Sequence, residues 1–306
     1  MPKTHTNKSQ SVHFTNATFE LVKWPVNPSH SVDGHVIAIQ TTRLVPQKSA
    51  QLQSSDNKLE DEKTPFYHFN LGLHVGDNAE QVTKNRDMLT QFIRQQLSPQ
   101  SSQQHNQYLP AAQNTSNIKE NPDVKIQWLQ QVHGNEVVTV SIVDERPLIA
   151  DASITRQKNI ALAIMTADCL PILLTHKKGI EVAAIHGGWR SLAANIITKT
   201  IAQMQSPPTE LIAWLGPCIG KNAFEVGNEV KQNFVQQDTA FEKAFLLQEN
   251  GKYLADLHKI ARLQLQIIGI TETANLAECT YQQTDKYYSY RKEKITGRMA
   301  SIICRR

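Results

Sequence analysis

The stretch IALAIMTADCLPILLTHKKGIEVAAIHGGWR, residues 160–190, decides how the chain folds. Apolar runs at 160–167, 171–175 and 180–186 read as three strands, parted by polar and glycine residues. Gly187-Gly188 then breaks the pattern. A helix is expected from near Trp189, with Leu192, Ile196, Ile197, Thr200 and Ile201 along one side. Upstream, strands are predicted at 34–43, 124–132 and 136–143. A helix lies among them, marked by capping-box spacing of Asp77 and Glu80 and by the period of Val82, Met88, Leu89, Phe92 and Ile93. Downstream come a strand at 210–215, helices near 226–236 and 254–267 (the second stopped by Gly269), and strands near 287–291 and 298–304. Hairpin-like and crossover connections both occur, so the fold class is α/β, a mixed sheet covered by helices.

The stretches 47–63 and 98–121 are dense in Gln, Ser, Asn and charge, and read as polar insertions within one domain. A single domain over 31–306 is therefore expected, preceded by an N-terminal extension, 1–30. Hydrophobic residues make up 40% of the 306 and charged residues 20%, the composition of an ordinary globular protein. The net charge of +4 is scattered, with no aromatic platform beside a basic block, which argues against nucleic acid. Cys169, Cys218, Cys279 and Cys304 are too sparse for a disulfide scaffold and form no Cys-x-x-Cys pair, so a reducing, cytoplasmic setting is expected. Met1 to Phe14 lacks the apolar core of a secretory leader. Asp168 and Pro171 interrupt the longest apolar stretch, so no membrane span is expected. The expectation is a monomer acting on a small molecule.

Three segments set a potential metal ligand at the end of a strand-like run: His133 before Gly134, Cys169 between Asp168 and Pro171, and His186 before Gly187-Gly188. Two imidazoles and a thiolate suit Zn2+, and three protein ligands leave the open position of a catalytic zinc. Singly, His133 reads as a solvated loop residue and Cys169 as a small buried hydrophobe; together the three coincidences support one another. Copper is disfavoured. The 11 histidines form no His-x-His pair, and Met165, which would complete a blue-copper set, reads as core. Gly187-Gly188 and the following helix start offer backbone N–H groups to an anion, and Arg190 adds a planar fork for phosphate or carboxylate. Asp168 is a candidate proton carrier or partner of a ligand. Arg291 and Arg298 lie among aromatics in the tail, where the plainer reading is pairing with a carboxylate such as Asp256.

With these segments in place, the chain closely resembles the YfiH family. Its members have been called laccase-like multicopper polyphenol oxidoreductases, purine nucleoside phosphorylases and peptidoglycan editing factors. The matching stretches include FNLGLHVGD (69–77), NR (85–86), QVHG (131–134), ADAS (150–153), MTADCLP (165–171), AAIHGGWR (183–190), AWLGPCIGKNAFEVG (213–227) and SYRKEKITGRMAS (289–301). The resemblance implies a compact α-β-β-α domain, with helices outside two sheet layers, similar to the catalytic domain of Rho-deamidating cytotoxins. It implies zinc on His133, Cys169 and His186, and a substrate pocket lined by Asn70 and Arg86. Arg43, Arg190 and Arg291 carry over as further contacts. Leu44-Val45 and a polar loop replace the Gly-Gly-Val-Ser usual after Thr-Thr-Arg, Ser191 replaces a usual Gly, and Cys218 a usual Ala.

The functional expectation is a Zn2+-dependent purine nucleoside phosphorylase acting on adenosine, inosine and methylthioadenosine, with adenosine deaminase activity. The metal would lower the pKa of a bound water to about 7 for deamination. It or Arg190 would orient phosphate, and Arg86 or Asn70 would hold the nucleoside. The alternative is an editing hydrolase that removes a misincorporated amino acid from the cell-wall precursor UDP-MurNAc-amino acid. A copper-dependent polyphenol oxidase and a non-catalytic zinc protein are further readings.

Overall fold

In a computed structural model, residues 18–25, 32, 34–45, 64–66, 68–98 and 123–306 are described. The strands in chain order begin with β1 (Phe19–Leu21), β2 (Val36–Thr41), β3 (Lys125–Gln127), β4 (Leu129–Gln130), β5 (Val137–Thr139), β6 (Leu148–Ile149), β7 (Ala152–Thr155) and β8 (Ile160–Thr166). They continue with β9 (Leu170–His176), β10 (Val182–Gly187), β11 (Leu211–Leu215), β12 (Glu225–Val226), β13 (Phe245–Leu247), β14 (Tyr253–Ala255), β15 (Thr273–Asn275) and β16 (Met299–Arg305). The helices are α1 (Ala79–Leu97), α2 (Trp189–Ala193), α3 (Ile196–Gln203), α4 (Asn228–Val235), α5 (Leu257–Ile268) and α6 (Tyr290–Glu293).

One sheet runs β1-β2-β16-β8-β3 and a second β15-β11-β9-β10-β7-β5; both mix parallel and antiparallel pairs. Successive side chains of a strand face opposite sides. In β8, Leu162 and Ile164 therefore point inward with Ala38 and Ile303, against Leu173, Val182, Ala184 and Trp214 of the second sheet. The alternate residues Ala161 and Ala163 face outward, where Leu89, Phe92 and Ile93 of α1 cover them together with Phe19 and Phe69. On the far side, Ile172, Leu174, Ala183 and Ile185 pack under Ile196, Ile197 and Ile201 of α3 and Ile260 and Leu265 of α5. The order of layers is α-β-β-α. Strands buried on both faces need no polar alternation, which is why 160–190 is so continuously apolar. Each Leu or Ile so buried contributes about 1.5–3 kcal/mol.

The structure departs from the sequence reading in several places. Phe19–Leu21, within the expected extension, is an edge strand paired antiparallel with β2, and Phe19 is buried. Asn78, not Asp77, caps α1: its side chain accepts the Gln81 N–H at 3.0 Å, while Glu80 pairs with Lys84. The helix expected after Gly188 is two helices, because Asn195 takes a left-handed φ of 61°. The strand expected at 287–291 is absent. Tyr287 and Tyr288 are buried without strand pairing, and the chain turns into α6, where Ser289 accepts the Lys292 N–H. β6, β7 and the small sheet β12-β14-β13 were not anticipated. The insertion at 47–63, and that at 98–121 except Ser98, lie outside the described residues. Among the described residues no helix is long and apolar enough to cross a membrane.

Candidate metal centre

The site forms where the chain crosses between sheets. Cys169 sits in the turn from β8 of the first sheet into β9 of the second, and His186 is the penultimate residue of β10, in register with Pro171. His133 arrives from the β4–β5 loop in a left-handed conformation, φ 58°. The ligand-capable atoms of His133, Cys169 and His186 all lie within 4.8 Å of one another. Cys169 Sγ is 3.7 Å from His133 Nε2, and the two rings meet edge to face at 4.7 Å.

Asp151, between β6 and β7, orients both histidines. Its carboxylate accepts the backbone N–H groups of His133 (3.0 Å), Gly134 (2.7 Å) and Val132 (3.3 Å), and His186 Nδ1–H at 2.7 Å. The Asp151 bond to Nδ1 leaves Nε2 of His186 as the ring nitrogen that could take a metal. Gln131 pins the same loop to β8: its amide donates to Met165 O and accepts from Met165 N–H, both at 2.8 Å. Gly188 is fitted to the cluster. A Cβ there would lie 3.2 Å from His133 Cδ2, 3.3 Å from Cys169 Sγ and 3.5 Å from His186 Cε1, so a methyl would crowd all three side chains at once.

The electrostatics suit a cation. Burial pushes the Cys169 thiol up, but the His186 and His133 imidazoles outweigh it and hold the thiol at about 6. Burial pushes His186 down, while Cys169 and Asp151 lift it to about 9. Burial likewise raises Asp151, and His186 with the backbone N–H groups brings it below the usual carboxylate value. Two imidazoles, a ready thiolate and a carboxylate fixing a ring make a donor set that fits zinc.

The cluster opens on a cavity of about 1040 Å³. Asp168 lines it but is committed elsewhere. In a left-handed conformation (φ 95°), its carboxylate accepts Thr280 Oγ1–H at 2.7 Å and the Arg291 N–H at 2.6 Å, and its carbonyl accepts the Ile219 N–H. It ties four segments together instead of bonding a ligand. Arg86, Arg190 and Arg291 also line the cavity. Asn70 and Arg43 do not. Asn70 is 0% exposed; its Oδ1 accepts from the Gly72 and Arg298 backbones, and its Nδ2 donates to Asp77 and Gly72. Arg43 pairs with Glu293 at 2.9 Å, donates to Thr284 O and lies over Tyr288. Both are bonded within the protein around the cavity. Cys218 is buried with its Sγ 3.5 Å from His258 Nδ1, and is not part of the cluster. Sequence reasoning gave no role to Asp151, Gln131 or His74, although each stood in a quoted stretch, and it read Gly188 as part of an anion-binding turn, not as a residue packed on the three ligand candidates.

The family model described as "Multi-copper polyphenol oxidoreductase laccase" matches residues 110–306. A relative from Escherichia coli (strain K12), named purine nucleoside phosphorylase YfiH, is 38% identical over 239 residues, 78% of this chain and 87% of its own. A purine nucleoside phosphorylase from Haemophilus influenzae is 35% identical over 91% of this chain and 98% of its own. Among solved structures, a Neisseria meningitidis protein of family DUF152 superposes with a TM-score of 0.74 at 33% identity, covering 94% of this chain and 99% of that one. By the extent of these matches, the chain belongs to the multi-copper polyphenol oxidoreductase laccase family, that of YfiH.

Proposed function

We propose that the protein is a Zn2+-dependent purine nucleoside phosphorylase with adenosine deaminase activity. The observation that carries this reading is the joining, in one cavity, of the His2Cys cluster with four arginines against a single carboxylate, Asp168, whose oxygens are already engaged. Phosphorolysis delivers an orthophosphate anion to a ribose carbon, and a cavity with that charge balance favours an anionic co-substrate. The purine nucleoside phosphorylase names of the relatives point the same way. Zinc is favoured over copper because one ligand cluster is found among the described residues, where multicopper oxidation needs several. The Met165 sulfur, the axial candidate for blue copper, instead lies 3.8 Å from Arg86 Nη2.

When bound, the ion supplies a positive centre that acidifies a water or polarises a substrate oxygen. The chain's own residues supply the placement. Asp151 holds His186 in one tautomer and fixes the His133 backbone, Gln131 ties that loop to β8, and Asp168 braces the turn that carries Cys169. The test is to determine bound metal and to incubate the purified protein with inosine and phosphate. Release of hypoxanthine with ribose 1-phosphate, and conversion of adenosine to inosine, are expected. A zinc-loaded protein without purine turnover sinks the reading. Accumulation of a serine-containing UDP-MurNAc precursor in a deletion strain would then favour the editing hydrolase.

A further inference from the structure

The four arginines of the cavity are not equivalent. Arg190 is exposed, with its guanidinium over the Trp189 ring at 4.5 Å, and a single charge in water binds an anion weakly. Arg291 commits Nη1 to Glu225 O at 3.1 Å and packs over Phe224. Arg86 and Arg298, part-buried and without a carboxylate partner among the described residues, are the pair that the fold brings together.

Arg86 stacks on Trp128 at 3.9 Å and gives Nε and Nη2 to Leu71 O at 2.9 and 2.8 Å, leaving Nη1 without a protein partner among the described residues. Arg298 gives Nη1 to Thr296 O and Gly297 O, leaving Nε and Nη2. The two meet on one residue, because the Leu71 N–H donates to Arg298 O at 3.1 Å. The chain is shaped around them. A Cβ on Gly72 would lie 2.9 Å from Arg298 Cγ, and one on Gly297 would lie 2.6 Å from Tyr288 Cζ. Buried Asn70 receives the Arg298 N–H at 2.8 Å.

A part-buried cation with no carboxylate bonded to it gains from a bound anion. Burial holds Arg86 at about 10 and draws Arg298 below its ordinary value, against the pull of Cys169 and Asp168. At the rim, burial, then Arg298 and Arg86, depress His74. We propose that Arg86 and Arg298, with His74 at the rim, form an anion subsite beside the metal centre that binds a phosphate group. The group is either free orthophosphate or a phosphoryl group carried by the substrate. The first form rests on the phosphorolytic reading above. Two guanidinium forks with unused N–H donors suit tetrahedral phosphate oxygens.

The test is calorimetric titration of the zinc-loaded full chain, in a buffer free of phosphate, with inorganic phosphate, adenosine and adenosine 5′-monophosphate as probes. Arg86→Gln and Arg298→Gln are each expected to weaken phosphate-group binding about tenfold or more. Adenosine affinity should fall less than either phosphate affinity, and Arg146→Gln, on an exposed side chain, should alter neither. Loss confined to inorganic phosphate identifies the free anion. A preference for the monophosphate over adenosine that disappears in the variants identifies a carried group. No binding of either phosphate probe to the wild-type protein, or unchanged affinities in the variants, overturns the subsite. Thermal denaturation is recorded throughout; should Arg298→Gln unfold, Arg86→Gln carries the test. Purine turnover is measured on the same samples. Turnover with unaffected phosphate binding overturns the subsite alone, whereas phosphate binding lost in the variants without any turnover overturns the phosphorylase reading alone.

Discussion

On the wall of the cavity formed by His133, Cys169 and His186, the supporting polar groups are satisfied within the protein. Asp151 takes four donors, and both ends of the Gln131 amide are bonded to Met165. On the wall formed by Arg86 and Arg298, three N–H-bearing nitrogens have no protein partner among the described residues, although both side chains are part-buried. The difference teaches what each wall is for. A cation centre gains from ligands locked in place before the ion arrives. An anion wall must keep its donors open, and it bears the burial of charge until a ligand comes.

The largest expected effect breaks the first wall outright. Cys169→Ala should release most of the metal and lower purine turnover by about 10³-fold, since a metal contributes several kcal/mol of charge stabilisation; elemental analysis and hypoxanthine release check both, and unchanged turnover would overturn the centre. Next, Asp151→Asn keeps the shape but weakens the hold on His186 and the His133 loop. Metal affinity should fall about 10–100-fold, read by chelator competition.

A third measurement uses metal-free protein. The Cys169 thiol is held below its ordinary value, at about 6, so its thiolate is present above that pH and lost as pH falls through it. Alkylation of Cys169 should therefore be about tenfold slower at pH 5 than at pH 8, and zinc should suppress it at both. A thiol that reacts only above pH 8 would remove the electrostatic part of the comparison. The smallest effect tests how the second wall is held. Asn78→Ala removes the cap of α1, the helix that carries Arg86, and should lower stability by about 1 kcal/mol with metal content unchanged. Denaturant unfolding and elemental analysis read the two quantities.

The layers were readable because β8, β9 and β10 are buried on both faces and so write long apolar runs into the sequence. The three ligand candidates stood out for a related reason: each interrupts or ends such a run with a polar or glycine residue. Asp151 could not be found that way, because its role exists only once Val132, His133, Gly134 and His186 gather around it. The aromatic pair Tyr287-Tyr288 looked like a strand, yet burial in the tail satisfies it without one. Asn70 shows what a motif leaves unsaid: its place in one suggests contact with substrate, and only the fold reveals the four side-chain hydrogen bonds that tie the loop before α1 to Arg298.

β16 lies between β2 and β8, in the interior of the five-stranded sheet, and is translated after both. Until it emerges from the ribosome, those neighbours expose unpaired edges and Arg298 does not yet exist. His133, Cys169 and His186 all precede β16 in the chain, whereas the sheet behind Cys169 is completed only by β16. During synthesis this domain therefore passes through a stage with open strand edges, the form most exposed to aggregation and most dependent on chaperones.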